Sequence, residues 1–110
     1  MSRSFDRISI AKLAQSISIP WDARDVVTAN ESVLRVLRLE GTMDWHHHEE
    51  DQLFVCWEGT FTLELQEERA VTLEAGDVFV IPRGVEHKTR ADAPAYALMS
   101  IGVHTMARSS

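Results

Sequence analysis

From Ser32 onward the hydrophobic positions fall into short runs, each closed by residues that favour turns. The runs are "SVLRVLRLE", "TMDWHHH", "DQLFVCW", "TFTLELQ", "RAVTLE", "DVFVIP", "HKTRA" and "AYALMSIGV". The breaks fall at Gly41, Glu49–Asp51, Glu58–Gly59, Glu67–Glu68, Ala75–Gly76, Pro82–Gly84 and Asp92–Pro94. Strands this closely spaced leave no room for helices between them, which predicts an all-β sandwich or closed barrel. Phe61, Leu63 and Leu65 alternate with Thr60, Thr62 and Glu64, so that strand has one wet face. The run "LFVCW" is apolar on both faces. Gln52, Phe54 and Cys56 share the side expected to face the interior, and Leu53, Val55 and Trp57 share the other. An outward apolar stripe points to association, so a homodimer is expected; packing beneath the N-terminal segment, around Trp21, is the competing explanation.

Ahead of these strands the period changes. Ser9 stands where a helix N-cap would, and Ile10, Leu13, Ala14 and Ile17 recur at helical spacing, predicting a short helix over residues 9–16. Pro20 ends it, and irregular chain with a short strand at Val26–Val27 follows. The expected organisation is an N-terminal segment (1–31) packed on a barrel (32–104), then a frayed tail (105–110) that includes none of the chemistry. His104, just before that tail, reads as a bystander.

Composition narrows the function. The chain has 110 residues, enough for one core but not two, and a net charge of −6. An acidic surface argues against nucleic-acid and anionic-membrane partners. A single cysteine cannot form an internal disulfide, and no apolar stretch has signal-peptide or membrane-spanning length. A cytoplasmic, soluble protein is the expectation.

Three of the five histidines are consecutive, at His46, His47 and His48. Such a cluster can be a metal site, a solvated surface group or part of a tag. Its internal position, flanked by strand residues, disfavours a tag. In extended chain, residues i and i+2 point the same way, roughly 6.5–7 Å apart, so His46 and His48 share a face and His47 opposes them. Two such imidazoles can converge on one ion. The acidic "EED" then reverses the chain, and Gln52 opens the next strand, from which it can reach back. A further imidazole, His87, follows the turn "PRG", where Pro82 presets φ and Gly84 reverses the chain.

This pattern resembles the cupin superfamily, in particular its small single-domain bacterial members of the mannose-6-phosphate-isomerase-like type. The first motif reads Gly41, "TMDW", His46-His47-His48, "EED", Gln52, "LFVCWE", Gly59; the second reads Gly76, "DVFVI", Pro82-Arg83-Gly84, "VE", His87, "KTR", Ala91. Sixteen residues, Thr60 to Ala75, separate them, as in short cupins. The resemblance implies a double-stranded β-helix (jelly-roll) barrel and a divalent ion, whether iron, zinc, nickel or manganese, held by His46, His48, Gln52 and His87. Two positions depart from the family pattern: Gln52 replaces the usual acidic ligand and Ala91 the terminal Asn. With an amide in place of a carboxylate, the site would carry +2 rather than +1, weakening the hold on the ion and favouring a small anionic bidentate ligand.

Two functions are compatible with that reading. One is a small metalloenzyme, dioxygenase-like or using other Lewis-acid chemistry; the other is a non-catalytic binding or sensory cupin with a weak or empty site. The true isomerase has additional elements that this chain lacks. Cys56 reads as a core residue rather than a redox thiol. Arg35, Arg38 and Arg83 are candidates for holding a substrate anion, with solvent exposure the default. Arg35 and Arg38 have opposite strand parity, so at most one points inward; Tyr96 and Met99 are likewise of opposite parity, so that one of them can line the pocket. Glu49, Glu50 and Asp51 are expected in solvent, and Glu86 is expected to point away from its neighbour His87.

Overall fold

A computed structural model describes residues 6–102. The predicted helix is present as α1 (Ile10–Gln15), with the Ser9 side chain accepting the Lys12 backbone N–H. Seven strands follow: β1 (Ala23–Ala29), β2 (Ser32–Thr42), β3 (Gln52–Glu58), β4 (Thr60–Leu65), β5 (Arg69–Glu74), β6 (Val78–Ile81) and β7 (His87–Gly102). They form one antiparallel, cupin-type jelly roll in which β1, β2, β7, β3 and β6 lie side by side, while β4 pairs with β5 and β7.

β7 organises the barrel. One of its edges pairs along almost the whole of β2, from Ser32↔Gly102 to Thr42↔Arg90. Its other edge is shared: residues 87–90 pair with β4 and residues 96–100 with β3. The expected break at Asp92–Pro94 therefore does not end a strand. Between Leu39↔Ala95 and Gly41↔Ala91 the register shifts, so these residues form a bulge, the position at which a strand tolerates proline's missing N–H.

The run "TMDWHHH" also departs from expectation. Residues 43–51 are irregular apart from one isolated bridge, His46↔His87. At the N-terminal end, β1 is longer than the Val26–Val27 pair suggested, and it hydrogen-bonds along β2 as an edge strand. His104 and the 105–110 tail lie outside the described residues.

The core follows the alternation. Phe61, Leu63, Leu65, Phe54, Cys56 and Leu73 are buried together inside the barrel, each large side chain contributing about 1.5–3 kcal/mol. A second cluster lies on the outer face, where Ala14 and Ile17 pack on Val36 and Leu98, with Val55 at its margin. Val55 is thus partly covered from the N-terminal side, whereas Leu53 and Trp57 stay exposed at 36% and 39%. Trp21 packs against the interior cluster instead.

Candidate metal centre

The three imidazoles meet. His46, His48 and His87 place one ligand nitrogen each within 4.8 Å of the others, and their ring centroids are 4.3–5.7 Å apart. Backbone hydrogen bonds set this arrangement. His46 and His87 exchange N–H···O=C bonds of 2.9 Å in both directions, and the Gly84 N–H donates to the His48 carbonyl at 2.8 Å. Gly84 has φ +78°, a conformation readily adopted by glycine, and the Val85 N–H closes the turn onto the Pro82 carbonyl. The Asp51 carboxylate accepts the Arg83 N–H at 2.8 Å, clamping the "EED" reversal to the same turn.

The tautomers follow from the partners. Nδ1 of His46 lies 2.9 Å from the Asp44 carbonyl, and Nδ1 of His87 lies 2.9 Å from the Val85 carbonyl. A carbonyl only accepts, so each Nδ1 carries the proton and each Nε2 keeps its lone pair, the arrangement a metal ligand needs. His87 is 1% exposed and its Nε2 is buried without a partner; so is Oε1 of Gln52. Gln52 spends its amide N–H on the Met99 sulfur at 3.6 Å. Orphaned acceptors in a closed interior are costly in the absence of something to bind.

A divalent ion fits this donor set. Bonds of about 2.0–2.1 Å to imidazole keep two nitrogens on one ion within about 4.2 Å, and all three ligand nitrogens here lie within 4.8 Å of one another. Protons offer little competition at His48. Burial, reinforced by the neighbouring His46, His87 and His47 rings, lowers its pKa to about 4. Burial also lowers that of His87, against the opposing pull of its bond to Val85.

The cavity beside the imidazoles has a volume of about 120 Å³ and is walled by His46, His48, Gln52, Phe54, Met99 and Arg35, among others. Of the paired alternatives, Arg35 and Met99 face inward. Arg38 faces outward and donates to Glu40, Tyr96 and the Ile17 carbonyl. Thr89 and Trp21 also line the cavity; the sequence pattern did not single out Thr89 and suggested Trp21 only as packing under the N-terminal segment. Thr89 was legible from its i+2 relation to His87; Trp21, at φ +69°, had no comparable signal. His47 turns out of the site to contact Glu86, which points away from His87 as expected. The Cys56 thiol donates to the Gly59 carbonyl inside the core, and burial raises its pKa, the behaviour of a packing residue.

Comparison with known proteins agrees with this geometry. The family model for the Cupin domain matches residues 34–101. The chain belongs to the cupin family. A Bacillus subtilis relative described as uncharacterized protein YdbB is 35% identical over 63 residues, 56% of this cupin and 56% of its own length, so the chain spans little more than half of that relative. A cupin-2 domain protein from Shewanella frigidimarina superposes with a TM-score of 0.82 at 28% identity, covering 86% of this cupin and 93% of that chain. The hydroquinone 1,2-dioxygenase PnpCD, solved with Fe3+, superposes with a TM-score of 0.79 at 14% identity over 86% of this cupin and 31% of its own chain, a likeness of fold.

Proposed function

We propose that this cupin holds a divalent metal ion on His46, His48 and His87, with the Gln52 amide oxygen as a fourth donor, and acts on a small anionic ligand. The observation that carries the reading is the pair of buried acceptors, His87 Nε2 and Gln52 Oε1, left without protein partners beside the His46 and His48 rings. A bound ion would supply Lewis acidity or dioxygen chemistry, the latter being the activity named for the PnpCD neighbour. The chain's own residues prepare the site for it. Asp44 and Val85 carbonyls fix two imidazole tautomers; Met99 holds the Gln52 amide; Leu39 and Phe54, both at most 5% exposed, keep bulk water from the walls.

Oxygen consumption by the iron-loaded protein, assayed across diketones, catechols and thiols, tests catalysis. Turnover that disappears in His48→Ala supports a metalloenzyme. Metal uptake with no turnover of any substrate class makes the protein a binding or sensory cupin instead.

For association, the homodimer is expected on the outward face of β3, at Leu53, Val55 and Trp57; the neighbouring strand β6 extends that face with exposed Val78 and Val80, the latter the cross-strand partner of Leu53. Light scattering of the wild type beside Val80→Lys tests it: a dimer that becomes a monomer supports the pairing, and a wild-type monomer rejects it. Among the described residues no helix is long and apolar enough to cross a membrane.

A further inference from the structure

We infer that the ligand of this site is a small organic carboxylate whose carboxylate group is held by Arg35, with its other end directed at the three-histidine centre. The inference rests on the metal-centre reading for the inner end of the ligand and on Arg35 for the outer end.

The charge on the cavity walls is the first argument. Of the twelve residues that line it, Arg35 is the one with a permanent charge and none is acidic, although the chain as a whole carries −6. A cation facing a confined space that has no acidic residue in its walls selects for an anion. Burial of that guanidinium is substantial, with its side chain 21% exposed.

The second argument is how Arg35 is held. Asp25 lies directly across from it in the β1–β2 ladder, and Arg35 Nε donates to the Asp25 carboxylate at 2.8 Å. That bond uses one edge donor; the two Nη groups, which form the fork suited to a carboxylate, have no protein acceptor among the described residues. Asp25 is 50% exposed and lies outside the cavity lining. It positions the guanidinium from the solvent side and leaves the fork free.

The third argument is placement. Arg35 pairs with Met99 across β2–β7, and Met99 pairs with Phe54 across β7–β3, so Arg35 stands two strand spacings, about 10 Å, from the strand that carries Gln52. Gln52 in turn donates to Met99. Arg35, the His46 and His48 rings and apolar Leu37, Phe54 and Met99 all line this one cavity, so a single ligand can meet both the cation and the imidazoles. A volume of about 120 Å³ suits a ligand of a few carbons.

The test uses the full-length protein, metal-free and zinc-loaded, and calorimetric titration with propanoate, butanoate, pentanoate and benzoate beside the corresponding neutral alcohols. At least one carboxylate is expected to bind about 10-fold or more tightly than its alcohol. Arg35→Gln should abolish that preference while leaving zinc stoichiometry unchanged; Arg35→Lys should retain part of it. Asp25→Asn, which keeps an acceptor for Nε but removes the partly neutralising charge, should strengthen carboxylate binding. A preference that survives Arg35→Gln undiminished, or no preference in either form, overturns the inference. If the protein takes up no zinc but still prefers carboxylates in an Arg35-dependent way, the anion site stands and the metal-centre reading fails.

Discussion

His46 and His87, far apart in the chain, donate to each other's carbonyl oxygens at 2.9 Å. This reciprocal bridge is the only regular pairing of the irregular segment 43–51 among the described residues. It fixes the spacing of two imidazoles by main-chain geometry, independently of whether an ion is present. The site is therefore largely pre-formed, and removing single donors should act on binding more than on the fold.

His48 tests that directly. Its ring is half-buried and makes no hydrogen bond among the described residues. His48→Ala is expected to lower metal affinity by at least about 100-fold while changing stability by less than about 1 kcal/mol, as measured by metal titration and thermal melting. A loss of folding would show instead that the imidazole is a structural element.

Gln52 sets the charge of the site. Gln52→Glu places a carboxylate where Oε1 is buried without a partner, and the expected result is metal affinity raised by about tenfold or more through the added Coulomb attraction. The same change in the metal-free protein buries a carboxylate, so its melting temperature should fall and recover when metal is added. Unchanged affinity would put Gln52 outside the coordination sphere.

Acid should destabilise the metal-free protein through the same rings. The pKa of His48 falls from 6.5 in the unfolded chain to about 4 in the folded one, and that of His87 also falls. The unfolded chain then binds more protons, so the stability present above pH 6.5 is lost as pH falls towards 4. With allowance for partial exposure of His48, this is about 1–2 kcal/mol, a drop of roughly 5–10 °C in melting temperature. Saturating zinc at pH 7 should raise the melting temperature, and the gain should vanish near pH 4 as protons displace the ion. A melting temperature flat from pH 7 to 4.5 would contradict the burial of these rings.

Two glycines should differ in their tolerance of a side chain. Gly59 has φ +82°, and a Cβ there would lie 3.0 Å from Ala95 Cβ and 3.1 Å from the Pro94 carbonyl oxygen; Gly76 has φ +95° but open space around it. Gly59→Ala should cost about 2–3 kcal/mol and Gly76→Ala about 1 kcal/mol, measured by chemical denaturation. Equal costs would mean that the approach of β7 to the β3–β4 turn is not tight.

Much of this arrangement was legible in the sequence, for reasons that can be traced. Alternation at Phe61, Leu63 and Leu65 located the inward face of a strand, although Thr62 on the face expected to be wet is buried as well. The i, i+2 relation paired His46 with His48, because side-chain direction in extended chain depends only on parity. The turn chemistry of Pro82 and Gly84 placed His87. Parity fails where register decides. It could say that at most one of Arg35 and Arg38 faces inward, but the choice depends on Arg35 lying opposite Met99, a long-range pairing that no local pattern encodes. Asp92–Pro94 read as a break because proline has no N–H to donate, and the strand continues only because a bulge absorbs those residues. "TMDWHHH" read as a strand because its residues suit one, yet beyond Thr42 the chain is irregular and held by a few backbone bonds to Gly84, His87 and Thr89, which are distant in sequence.

The most direct test is metal content. Protein produced without added ions and then equilibrated with a divalent metal should carry close to one ion per chain by elemental analysis, with His48→Ala carrying almost none. Wild-type protein that stays empty after equilibration, or a His48→Ala variant that retains the same metal content, would contradict the proposal that these three imidazoles share an ion.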